Sequence, residues 1–134
     1  MASVLVVDAV SERRSILECW LRGDGHEVVA HGTLREAATM TRAREFAAIF
    51  LTWKPGGPEG IRDWGKMGWA ARDLVAIVKT TAEGKEADAW CKSQLPEAYL
   101  TLLHAREGRL NAGEYARAYK RIFGSPGGTF RAAT

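Results

Sequence analysis

The run Val4-Leu5-Val6-Val7 carries an apolar side chain at every position. A strand that covers one face of a sheet alternates apolar and polar residues, whereas one that is apolar throughout is buried on both faces, the condition inside parallel sheets. Comparable runs recur at Phe46 to Trp53, Leu74 to Val78 and Ala98 to Leu103, with a shorter one at His26 to Ala30. Helical spacing separates them. After Ser11, an expected N-cap, Ile16, Leu17, Trp20 and Leu21 share one face until Gly23 and Gly25 end the pattern. Thr33 is expected to cap a helix that turns Leu34, Ala37, Ala38 and Met40 or Thr41 toward the sheet. Residues 61–71 have room only for a short or frayed third helix, weakened by Gly65 and Gly68, and a fourth runs from Glu86 to Gln94. Asn111 and Glu114 form a capping box for the last helix, whose Tyr115, Ala118, Tyr119 and Ile122 make an apolar stripe. Strands alternating with helices predict an α/β fold: a doubly wound, five-stranded parallel sheet with helices on both faces.

A chain of 134 residues fits one domain. Residues 1–123 are expected to form it, and 124–134, rich in Gly, Ser, Pro and Thr, to be a flexible tail or linker. The net charge of +3 with a pI near 9.1 is too modest for a dedicated nucleic-acid binder, so no specific nucleic-acid partner is expected. Asp8 interrupts the first apolar run before a signal sequence could form, and no stretch approaches the ~18 apolar residues of a membrane span. A cytoplasmic protein without membrane insertion is the expectation. Cys19 and Cys91 form no C-x-x-C pair and read as buried small hydrophobes. His26, His31 and His104 lack metal-ligand spacing, and no nucleophile motif is present. Gly56-Gly57-Pro58-Glu59-Gly60 lacks the Gly-Lys-Ser/Thr ending of a phosphate loop. The expectation is a non-enzyme with no cofactor and no metal.

In a doubly wound sheet the chemistry sits beyond the carboxyl ends of the central strands. That rule selects Asp8, Thr52, Thr80 or Thr81, and Leu102. Val4-Leu5-Val6-Val7-Asp8, the segment Ile49-Phe50-Leu51-Thr52-Trp53-Lys54-Pro55 with its downstream Glu59-Gly60, and Thr81-Ala82-Glu83 together resemble the receiver domain of two-component response regulators, the CheY-like module, over roughly residues 3 to 123. The resemblance implies two acids holding Mg²⁺ after the first strand, a phosphoacceptor Asp after the third, Ser or Thr after the fourth and Lys after the fifth. Here Asp8 matches one acid, but Ala9 stands beside it, Thr52 falls at the phosphoacceptor and Leu102 at the Lys. Only the hydroxyl, Thr81 or Thr80, is retained. One carboxylate is a poor site for Mg²⁺, a Thr hydroxyl forms no acyl phosphate, and without the Lys no cation steadies a transferred phosphoryl group. The resemblance is therefore to a degenerate pseudo-receiver.

Lys54, two positions after Thr52, is one candidate counter-ion of Asp8; the alternative is that Lys54 points into water and Asp8 is solvated. Tyr99 falls at the family's aromatic switch position, coupled to Thr81. The family's output face, made by its last strand and last two helices, corresponds here to Trp90, Tyr99, His104, Arg106, Arg109, Tyr115, Tyr119 and Arg121, with His104 to Leu110 expected as an exposed loop. Aromatic and Arg residues are enriched at binding hot spots. Trp53, Trp64 and Trp69 around the Gly-rich loop make a second candidate surface. The expected function is a phosphorylation-independent protein-interaction module in bacterial signalling, with a homodimer through the output face as one option. The alternative is a sensor of a small anionic, nucleotide-type ligand using Arg117, Lys120 and Arg121.

Overall fold

A computed structural model describes residues 3–40, 45–54 and 70–124. The strands are β1 (Ser3–Val7), β2 (Glu27–His31), β3 (Glu45–Thr52), β4 (Ala70–Val78), β5 (Tyr99–Arg106) and β6 (Arg109–Leu110). The helices are α1 (Ser11–Gly23), α2 (Leu34–Met40), α3 (Thr81–Gln94) and α4 (Ala112–Phe123). Among the described residues the sheet has six strands, where five were expected, in the order β2-β1-β3-β4-β5-β6. All pairings are parallel except the last, where β6 returns antiparallel along β5 through Ala105↔Leu110 and Arg106↔Arg109. The segment expected as an exposed loop from His104 to Leu110 is therefore a hairpin. Its two turn residues, Glu107 (φ 52°) and Gly108 (φ 75°), both lie in the left-handed region, as a two-residue turn matched to strand twist requires.

Residues apolar on both sides of a strand need partners on both sides, and two apolar clusters supply them. Val4, Val6, Phe50, Val75, Ile77 and Leu103 pack with Leu17 and Leu21 of α1 and Tyr115 and Tyr119 of α4. Leu5, Val7, Ile49, Leu51, Leu74 and Ala76 pack with Leu34 and Ala37 of α2 and Ala87 and Cys91 of α3. Leu5, Leu17, Leu21 and Leu51 are fully excluded from solvent, each worth about 1.5–3 kcal/mol of transfer free energy. Gly84 lets α3 approach β5 closely, since a Cβ there would stand 3.1 Å from Leu102 Cδ1.

Caps close the helices. The Thr33 hydroxyl accepts from the Glu36 amide (3.0 Å), Thr80 from Glu83 (3.1 Å) and Asn111 from Glu114 (3.0 Å), each worth about 1 kcal/mol. Ser11 is not a cap: Val10 holds that position in extended geometry without a side-chain bond, and Ser11 is already helical. Of the two residues expected to face the sheet at the end of α2, Met40 is exposed, and Thr41 lies outside the described residues. Cys91 is buried, but Cys19 lies on the exposed side of α1. The helix expected over 61–71 lies largely outside the described residues, and Ala70 already belongs to β4, which begins four residues before the expected Leu74. The tail beyond Gly124 also lies outside them.

Candidate functional site

The sheet order reverses between β1 and β3, so the rim beyond their carboxyl ends is the switch point at which this fold class places its sites. Val7 pairs with Leu51, which sets Asp8 level with Thr52. Asp8 is only 1% exposed, and a lone carboxylate at that depth would cost several kcal/mol. Arg13, three residues into the helical segment and itself 4% exposed, answers it. Its Nε donates to Asp8 Oδ2 at 2.6 Å and its Nη2 to Oδ1 at 3.0 Å, a two-pronged pair that uses the planar fork of the guanidinium. The Val10 amide adds a third donor to Oδ1 at 2.9 Å, and Arg14 Nη1 donates to the Asp8 carbonyl at 2.7 Å. Asp8 is therefore neither solvated nor paired through Lys54 as its main cation: Arg13 holds it. Lys54 instead lines a hollow of about 20 Å³ with Val7, Ala9, Thr33 and Thr52.

The Thr52 hydroxyl oxygen is buried and has no hydrogen-bond partner. Across the sheet, Thr52 pairs with Ile77 and Ile77 with Leu103, so Leu103 is the β5 residue level with it. Leu102 pairs with Ala76, four residues before β5 ends, and lies against α3. Leucine occupies both positions, and neither supplies a cation. The Mg²⁺ that a receiver-like rim implies does not fit these residues: both oxygens of Asp8 are engaged by cationic and amide donors, Ala9 brings no ligand, and Thr52 brings only a neutral hydroxyl. Among the described residues no group of three or more His, Cys, Asp or Glu side chains could hold a metal ion.

Other predicted residues are dispersed. Thr80 is the cap of α3, while Thr81 opens that helix and lines a cavity of about 240 Å³ with Gly84, Lys85, Asp88, Leu102 and His104. Tyr99 is not beside Thr81. It pairs with Asp73, whereas the end of β4 at Val78 pairs with His104, five residues further along β5 or roughly 16 Å at the rise of a strand. Tyr99 is 48% exposed, and its ring and hydroxyl are both held by Arg121 of α4, whose guanidinium carbon lies 4.7 Å from the ring centroid and whose Nε donates to the hydroxyl at 3.1 Å.

Tyr115 and Tyr119 are core residues rather than surface ones, and Trp53, 1% exposed, packs on Trp90 with ring centroids 5.6 Å apart. Arg106 and Arg109 are exposed on either side of the hairpin turn. Trp64 and Trp69 lie outside the described residues. Of the three cations expected to take an anion, Arg121 is engaged with Tyr99, Arg117 acts on Glu114, and Lys120 is exposed.

Two features escape a reading of motifs alone. Arg13 was legible only as an Arg five positions after an acid at the start of a helix. The second is His104, whose backbone N–H (2.8 Å) and ring Nδ1 (2.6 Å) both meet Glu114 Oε1. Burial alone raises the Glu114 carboxyl, but the two His104 hydrogen bonds, the His104 charge and Arg117 together hold it below the usual range.

No protein-family model matches the chain, and no curated protein sequence does. The fold is similar to a solved structure, the response regulator receiver protein from Burkholderia phymatum, with a TM-score of 0.63 and 17% identity over 96% of this chain and 99% of that one. Likeness at that identity speaks for the fold, and with the element order and rim geometry above it leads to one conclusion: the chain has a receiver-like α/β fold.

Proposed function

We propose that this chain is a pseudo-receiver, a phosphorylation-independent protein-interaction module of bacterial signalling that is cytoplasmic and not an enzyme. The observation that carries the reading is the buried Asp8–Arg13 pair. In a metal-dependent phosphoacceptor the acid must be free to meet a cation; here a covalently tethered cation already neutralises it, with no ion to gain or lose. Thr52 at the acceptor position and leucine at both candidate Lys positions support the same reading. With no acyl phosphate to form, the input is a partner that prefers one conformation over another. The exposed ring of Tyr99 and the cations Arg106, Arg109 and Arg117 are the residues we assign to partner contact.

Trp53, one residue past Thr52 and enclosed against Trp90, reports on the rim. Titration with Mg²⁺ and beryllofluoride should leave its fluorescence unchanged. A saturable, Mg²⁺-dependent change would restore phosphorylation as the input and overturn the proposal.

A further inference from the structure

A cavity of about 740 Å³ lies at the opposite end of the sheet from the rim, where β3 and β4 begin and the connection from α3 to β5 passes the end of α4. Its volume is that of a site for a small organic molecule. Phe46, Ile49, Leu74, Leu95 and Phe123 give it an apolar lining.

The polar groups on this lining are of one predominant sign. Glu45, Asp73 and Glu97 all border the cavity, against a single guanidinium, Arg72. Among the described residues none of the three carboxylates has an ion-pair partner within salt-bridge distance. Asp73 is the most enclosed of them, set within β4 between Ala48 and Tyr99, and burial pushes its carboxyl up from the ordinary range, with Arg72 only partly opposing the shift. An anionic ligand meets repulsion here, and a wholly apolar one leaves Asp73 without compensation.

We propose that this cavity binds an amphiphilic organic cation, with its apolar body against Ile122 and Phe123 of α4 and its protonated amine directed to Asp73, which faces the same side of the sheet. The site goes beyond the pseudo-receiver reading and does not depend on it.

The probe is dansylcadaverine, an aromatic body bearing a protonated amine, compared with its neutral N-acetyl derivative and with anionic dansylglycine. Fluorescence titration of the full chain should give saturable binding of the amine, about tenfold tighter than the acetyl derivative, the value of one charge-assisted hydrogen bond. Dansylglycine should bind more weakly still. Asp73→Asn should remove that tenfold preference. Should that variant melt early, the exposed Glu97→Gln should still reduce the preference. Amide NMR shifts caused by the amine should fall on residues 45–49, 72–74 and 95–98. Absence of saturable binding, equal binding of all three dyes, or shifts centred elsewhere would each overturn the proposal.

Discussion

Replacing Arg13 by Met removes the guanidinium while keeping most of the stem that packs at 4% exposure. Asp8, 1% exposed, then retains the Val10 amide at 2.9 Å and loses the contacts at 2.6 and 3.0 Å. Breaking one side of a buried pair typically costs about 3–5 kcal/mol, because the remaining charge is stranded rather than because the pair was strongly favourable. In a domain of this size that is a fall of roughly 10–20 °C in Tm. Asp8→Asn should also destabilise, since it strands the guanidinium. The double variant Asp8→Asn/Arg13→Met should cost clearly less than the sum of the two, with a coupling of about 1–3 kcal/mol. Urea unfolding followed by Trp fluorescence measures all four corners of the cycle. A loss below about 1 kcal/mol for Arg13→Met, or additive single effects, would show the pair to be solvated and remove the ground for treating Asp8 as sealed.

The buried, unpartnered Thr52 hydroxyl makes Thr52→Val neutral or stabilising by up to about 1 kcal/mol in urea unfolding; a loss above 1 kcal/mol would mean the hydroxyl has a partner. Glu114 titrates below its ordinary 4.5 in the folded state, so its contribution is present above the unfolded value and is lost as pH falls through the folded one. The stability gap between the wild type and Glu114→Gln should be present at pH 6 and shrink progressively as the pH falls below 4.5, and a gap independent of pH across that range would contradict the His104–Glu114 geometry. Burial, then Asp88, pushes the Cys91 thiol up to about 11, whereas Cys19 is exposed. Iodoacetamide at pH 8 should therefore label Cys19 in the folded protein and Cys91 only after unfolding, as read by mass spectrometry; early labelling of Cys91 would sink this account.

The strands were legible because burial on both faces leaves a continuous apolar run at the centre of β1, β3 and β4, over residues 4–7, 46–51 and 74–78. Their ends were not, since Ala70 and Arg106 join strands through pairing with neighbours and carry little apolar signal of their own. The sixth strand was missed because charge at Arg106, Glu107 and Arg109 reads as a solvated loop, although Glu107-Gly108 has the form of a tight hairpin turn. At the rim, the sequence pointed to Asp8 and the substituted Thr52 but not to Arg13 as the cation that meets Asp8. Lys54 is nearer to Thr52 in sequence, while Arg13 is nearer to Asp8 through the short turn into α1, a proximity that only the turn's path discloses. Tyr99 and Thr81 were linked by spacing inherited from a resemblance, and the register of β4 against β5 separates them.

The hairpin bears on how the molecule behaves in a crowded solution. Without β6, the last two residues of β5, Ala105 and Arg106, would leave open amides and carbonyls at the sheet edge, part of a template on which another chain could add a strand. Two residues of β6 occupy that edge, and the exposed Arg106 and Arg109 place like charges at its margin. The short return strand thus leaves less open edge for strand addition where it pairs with Ala105 and Arg106, and it sets the charged Arg106 and Arg109 at that margin, the devices by which sheet edges are kept from pairing with other chains.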